Sequence, residues 1–325
     1  MNRIITFMIF MFGLISTLSA QESYSQDTIL MGSSFRFTAL NKSNIIAQQS
    51  VNLAIEEVIR IEKLISSWDD FSQTSQINRM AGVSPVKVSI ELLLLIERTL
   101  KISEISNGYF DISFASIDQI WNFTDSISTI PTQLQLEQSV EKINYKNISI
   151  DKKDTTIFLL EKGMKIGFGS IGKGYAANRA KMIMVNNGIK SGVVNAGGDL
   201  IAWGTKENNK LWSIGVVDPF NKNETTLWLD VDDMAVVTSG NYEKYLTING
   251  KRYCHIVNPK TGWPVSGLVS VTIMCRDAEL ADALATTVFV LGLTDGLNLI
   301  NHLEGVEGVL ISENGSMHYS HNLKK

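Results

Sequence analysis

The segment from Lys165 to Trp203, KIGFGSIGKGYAANRAKMIMVNNGIKSGVVNAGGDLIAW, limits the possible folds of this chain more than any other stretch. A short β-like entry (Lys165 to Phe168) runs into a turn carrying Gly167, Gly169, Gly172 and Gly174. An Ala-, Lys- and Met-rich helical run follows and closes at Asn187-Gly188. An apolar strand then enters a second turn at Gly197-Gly198. Glycine lets backbone approach a ligand closely, and a helix start offers unpaired N–H groups to an anion. The unit therefore reads as a phosphate cradle or as a tight turn between packed elements.

Two familiar cradles nearly fit and both fail. Gly167-x-Gly169-x-x-Gly172 has dinucleotide-fingerprint spacing, but that motif needs a ribose-binding acid at a strand end about 20 residues on. Near that distance stands Asn195, with Asp199 following a glycine pair. Gly167-x-x-x-x-Gly172-Lys173 begins a P-loop, yet Gly174 occupies the position that needs a metal-binding Ser or Thr.

The chain has 325 residues, 44% of them hydrophobic, enough to bury a large core. Its net charge of −4 gives no electrostatic footprint for nucleic acid. The two cysteines, Cys254 and Cys275, have no metal-ligand spacing and read as buried thiols, with a structural disulfide as the alternative. With only four histidines besides, a metal would be a hard cation held by oxygen. Residues 1–20 read as a signal peptide: Arg3, the apolar run Ile4 to Ile15, and the exit Ser16-Thr17-Leu18-Ser19-Ala20. Leu18 is bulky for such an exit, so an uncleaved anchor in the inner membrane is the alternative. No cysteine is placed for lipid attachment. Residues 21–325 then form one exported, periplasmic domain.

Ile29 to Leu40 alternates as a strand. Ile45 to Ile65 and Ser89 to Ser106 carry helical apolar stripes, and Ser75 to Met80 is a short helix or turn. Tyr109 to Phe123 is aromatic-rich and contains Asp111 and Asp118; Thr124 to Leu136 is polar and loop-like. Ile148 to Leu160 is a hairpin. Further strands fall at Trp212 to Val217, Thr225 to Val231 and Met234 to Thr238, with a turn at Ser239 to Tyr242 and an Asn-Gly hairpin at Leu246 to Tyr253. A strand at Leu268 to Cys275 precedes a helix from Ala278 to Leu291, and Val309 to Ile311 with Met317 to Tyr319 makes a last hairpin. The class is α+β, with meandering antiparallel sheets and long helices packed on them.

Asp282 and Thr286 are spaced to share one helix face, a donor pair suited to magnesium. The alternative is an exposed Asp and a Thr bonded back to its own helix. Apolar neighbours on nearly every side make an unpartnered Asp282 costly. His255 sits where a strand runs into a Pro/Gly turn, as a proton shuttle or a structural histidine. His302, His318 and His321 lie in polar segments and read as solvated. Lys173 at the glycine turn is a phosphate partner or a solvated lysine. Trp68, Tyr109 and Trp121 could stack on a ring system or fill the core.

These segments together resemble the ApbE family of FAD:protein FMN transferases, through MGSSF, FDISFASIDQIW, IGFGSIGKGYAAN, NAGGDL, TSGNYEKY, HIVNPKTGWPV and ADALATTVFVLG in that order. The resemblance implies FAD bound in a cleft between the two halves of an α+β fold, with Mg2+ on its pyrophosphate. It implies FMN transfer from FAD to a Thr or Ser hydroxyl of an acceptor flavoprotein, with AMP released. The acceptor would be a subunit of a membrane redox complex or a secreted flavoprotein. By resemblance Met31, Trp68, Tyr109, Phe110, Asp111, Gly167, Lys173 and Ile256 fall at FAD-contacting positions. Ser170 (through its carbonyl), Asp282 and Thr286 fall at metal positions, and His255 at the catalytic histidine. Gly167 and Asn258 stand where the family pattern carries Asp, which puts metal affinity and the balance of transfer over FAD hydrolysis in question. FAD cleavage to FMN and AMP, or flavin binding without turnover, are the alternatives.

Overall fold

The sequence predicts one strand over Ile29–Leu40. Instead the chain folds back at Met31-Gly32, where φ is +50° and +68°, the left-handed pair that a two-residue hairpin turn requires. The polar residues before it supply the partner, so β1 (Glu22–Leu30) pairs with β2 (Ser33–Asn41). This computed structural model describes residues 22–323 apart from 118–119, 122, 124–128, 207–208 and 243. The expected signal segment and Asp118 lie outside the described residues.

Ser43 caps α1 (Asn44–Ile65), whose buried stripe includes Val51, Ala54, Val58 and Ile61. After α2 (Gln73–Arg79) and β3 (Val86–Lys87), Ser89 caps α3 (Ile90–Ile105). The segment expected to be a loop up to Leu136 contains the start of α4 (Gln133–Val140). Thr132 and Gln135 cap it reciprocally, a signal the polar composition obscured. β4 (Ile148–Asp151) and β5 (Thr156–Leu159) form the expected hairpin, and β5 also pairs with β3. Lys165 to Phe168 is not a strand: it runs irregularly into α5 (Gly172–Asn186), and Asn78 bonds both the N–H and the C=O of Ile166.

The main sheet is antiparallel throughout, in the order β1-β2-β6-β7-β10-β13-β14-β15. Its remaining strands are β6 (Ser191–Ala196), β7 (Asp199–Trp203), β10 (Met234–Gly240), β13 (Leu268–Cys275), β14 (Glu307–Ser312) and β15 (Met317–Tyr319). Ser239 and Gly240, expected in a turn, still pair with β13. One face is covered by α1, α5 and α6 (Ala278–Asn301), the last broken at Gly292 where φ is +79°. The other face packs Val236, Met274 and Val309 against Trp212, Ile214, Leu227 and Leu229 of the ribbon β8 (Trp212–Val217) and β9 (Thr225–Val231). Covered on both faces, β13 is buried along its whole length and lacks the alternation of a half-exposed strand. A second ribbon, β11 (Tyr245–Ile248) and β12 (Lys251–Cys254), turns at Asn249-Gly250 with φ of +51° and +77°. Beside it Trp121 stacks on Tyr253 and donates Nε1–H to the carbonyl of Gly262, so this tryptophan is core.

Candidate active site

The start of α5 lacks its own cap, because the residue ahead of it, Ile171, has no side-chain oxygen. Asp282 supplies the acceptor from α6. Its Oδ2 accepts the N–H of Gly174 at 2.9 Å, and the Lys173 N–H also donates to the carboxylate. The helices can meet this closely only over glycine: a Cβ at Gly174 would stand 2.1 Å from the Ala278 carbonyl oxygen and 2.8 Å from Asp282 Cβ. That contact explains why Gly174 replaces the hydroxyl residue of a P-loop.

Asp282 is 5% exposed. Burial pushes its carboxyl above the ordinary range, the neighbouring Asp199 carboxylate adds to this, and the Lys173 ammonium and the two N–H groups oppose it. The Lys173 side chain turns to Asp199 and forms an ion pair with it, Asp199 being 3% exposed. Asp199 heads β7 directly after Gly197 and Gly198, whose φ values of +66° and +106° reverse the chain from β6. Thr286, one turn beyond Asp282, is half-buried, as is Ser170 in the turn before α5. A buried carboxylate with hydroxyl and carbonyl oxygens nearby is the donor chemistry of magnesium, which keeps few protein ligands. Among the described residues no group of three His, Cys, Asp or Glu gathers as a metal site, so any cation here would rest on few protein ligands.

Met31 lies against this junction: a Cβ on Gly172 would fall 3.4 Å from its methyl and 3.0 Å from Ile65 Cδ1. Trp68, on the loop after α1, is 87% exposed. Tyr109 carries the Lys260 ammonium 4.1 Å above its ring. The next two side chains have partners within the protein. Phe110 is buried in the main core, and Asp111 accepts from the Ser113 N–H and hydroxyl through Oδ1 and from the Tyr145 N–H through Oδ2. Burial pushes the Asp111 carboxyl up while these bonds oppose it. Phe110 and Asp111 thus fix the backbone behind Tyr109. Asp111, Gly108, Tyr145 and Lys260 line a cleft of about 320 Å3.

Gly167 donates its N–H to the Ile112 carbonyl at 2.9 Å, tying the glycine turn to the segment after Tyr109. A Cβ here would meet Ala115 Cβ at 3.1 Å, so an Asp needs that neighbour to give way. Asn258 accepts the Lys260 N–H through Oδ1 at 2.9 Å, a bond an Asp would make equally well. His255 follows β12, half-buried, with Nδ1 3.1 Å from the Lys244 carbonyl oxygen. Ile256 is half-buried and its carbonyl accepts the Val265 N–H.

The structure therefore brings Met31, Lys173 and Asp282 together at the α5–α6 junction, with Ser170 and Thr286 in the adjoining turns. Asp111 and Lys260 line the cleft beside Tyr145, and Tyr109 lies beneath the Lys260 ammonium. Asp199 was not singled out from the sequence as a site residue. Its signal was an acid at the head of the apolar strand DLIAW, a position where burial demands a partner.

The ApbE family model matches residues 31–310. The chain belongs to the ApbE family. This ApbE-family chain is 29% identical over 307 residues to the FAD:protein FMN transferase of Treponema pallidum, covering 89% of this chain and 84% of that one. It is 26% identical over 299 residues to that of Klebsiella pneumoniae, covering 91% and 92%. Among solved structures, the ApbE protein of Thermotoga maritima superposes with a TM-score of 0.85 at 31% identity, over 93% of this chain and 98% of that one. The flavin transferase ApbE of Vibrio cholerae shares the fold, with a TM-score of 0.81 at 21% identity over 93% and 98%.

Proposed function

We propose that this protein transfers FMN from FAD to a Ser or Thr hydroxyl of an acceptor flavoprotein, with Mg2+ required and AMP released. Its relatives place it among transferases. The observation that carries the finer reading is the buried Asp282 at the mouth of α5, beside Lys173 and one turn from Thr286.

In the reaction the acceptor oxygen forms a bond to the phosphorus of the FMN phosphate, and the bond from that phosphorus to the bridging oxygen breaks. AMP departs with that oxygen. An alcohol is a poor nucleophile, and His255 is the group assigned to accept its proton. Lys173 offers positive charge to the phosphate oxygens, at the N-terminal turn of α5 whose dipole also favours an anion. Asp282, Thr286 and the Ser170 carbonyl would hold magnesium, which when bound neutralises charge on the pyrophosphate. Residues 1–20 act as the export signal in this reading, so that the acceptor is a membrane redox subunit or a secreted flavoprotein.

Incubation with FAD, magnesium and an acceptor domain tests the proposal. Covalently fluorescent acceptor and stoichiometric AMP are expected, both lost when magnesium is chelated. AMP without labelled acceptor would mean FAD hydrolysis, and bound FAD without AMP would mean flavin binding alone.

A further inference from the structure

Trp68 and Phe71 are the two most exposed large hydrophobic side chains among the described residues, at 87% and 89%. They stand on the loop from Ser66 to Ser72 that joins α1 to α2, and that loop is firmly built. Ser66 Oγ accepts the N–H groups of Trp68 and Asp69 at 3.2 and 3.1 Å, and Asp69 Oδ1 accepts that of Phe71 at 2.9 Å. Ser72 donates its hydroxyl back to the Ser66 carbonyl, and Arg79 bonds the Asp70 carbonyl at 2.7 Å. The base of the loop touches the site, since Ser67 Oγ lies 3.8 Å from a Cβ placed on Gly167.

Phe71 packs into none of the core clusters, so a polar residue would serve the fold as well. A rigidly presented aromatic outside the core is the usual anchor of a protein contact. In the transfer reading Trp68 is the aromatic contact of the flavin, which leaves Phe71 without a role there. The acceptor protein must bring its hydroxyl to the phosphate, so its surface has to cover the rim of the site, where this loop stands. We propose that Phe71, with the exposed Asp70 beside it, is the docking contact for the acceptor, receiving an apolar side chain with basic neighbours. The inference rests on the transfer reading above.

Phe71→Ser and Asp70→Lys variants test it, with the exported protein fraction of the parent cell as acceptor probe and covalent flavin fluorescence on denaturing gels as readout. For each variant the amount of fraction giving half-maximal labelling should rise about tenfold or more, the cost typical of an interface anchor. The KM for FAD and the rate of AMP release without acceptor should stay as in the parent protein. Unchanged labelling at limiting fraction overturns the docking role. A parallel rise in the KM for FAD overturns it too, by placing Phe71 on the flavin. If the parent protein labels nothing, the transfer reading fails and takes this inference with it.

Discussion

Lys173 and Asp199 form an ion pair across the junction of α5 and β7, with the carboxylate almost wholly out of solvent and a second carboxylate, Asp282, within electrostatic reach. Removing one partner of a buried pair leaves an uncompensated charge, whereas removing both need not. Lys173→Met should therefore destabilise the protein by about 3 kcal/mol in urea unfolding, and the Lys173→Met/Asp199→Asn double variant should recover most of that. Strictly additive losses would show that the pair is not coupled.

Asp282 combines two roles that substitution can separate. Asp282→Asn keeps an oxygen for the Gly174 N–H but removes the charge. It should retain near-parental thermal stability while losing magnesium binding by calorimetry and magnesium-dependent turnover. Asp282→Ala should also cost about 1 kcal/mol for the lost cap. Undiminished turnover in either variant would sink the metal assignment.

Gly167→Asp supplies the acid that the resemblance led us to expect at this position but crowds Ala115. The single substitution should lower stability, and Gly167→Asp/Ala115→Gly should restore it. The relieved double variant should bind magnesium more tightly than the parent, as a second carboxylate near the site would require. Calorimetric affinity equal to the parent's would show that position 167 does not reach the metal.

His255→Ala should slow transfer far more than it weakens FAD binding, because the ring is assigned to the acceptor's proton. About a hundredfold loss in kcat with a KM for FAD within a few-fold is the expected pattern for a general base. Equal losses in turnover and binding would reassign the residue to substrate contact.

Helices α1, α3 and α5 are tied together by Glu57, Arg60, Glu91 and Arg179. Hydrogen bonds from Arg60 lead the causes that hold both Glu57 and Glu91 below their ordinary value of 4.5. A carboxylate with a depressed folded pKa stabilises the protein above its unfolded pKa, and that contribution fades as pH falls through the folded one. The thermal midpoint should drop as pH falls below 4.5, and Glu57→Gln should flatten the drop. A midpoint equally acid-sensitive in the variant would exclude this cluster as the cause.

Much of the fold was legible because helix stripes and strand alternation report one buried face each. Val51, Ala54, Val58 and Ile61 placed α1 within a residue of its observed start, and Asn249-Gly250 placed its hairpin. What escaped depended on relations between distant segments. The polar β1 is held by pairing with β2 and lies at the sheet edge, so it shows no apolar run. Lys165 to Phe168 carries strand-like residues, yet Asn78 takes up the backbone bonds of Ile166 that a neighbouring strand would have made. At the site, Asp282 and Lys173 stood out by residue type and neighbours. Asp199 did not, since its importance comes from a lysine 26 residues earlier in the chain. Likewise the chain alone does not reveal that Phe110 faces the core or that Asp111 is spent on a cap.

The capping of α5 by Asp282 also bears on how such a chain could change over evolutionary time. A descendant that abandoned catalysis would still need an acceptor for the Gly174 N–H, because Ile171 can offer none. Replacing that aspartate by a residue without an acceptor would cost the helix start its cap as well as silence a metal. Selection for folding alone is therefore enough to preserve an Asp or an Asn there, and a side-chain acceptor at this position is poor testimony that the lineage still carries out the reaction. Thr286, whose side chain bonds no other described residue, is free to drift once the chemistry is gone, and it is the better witness.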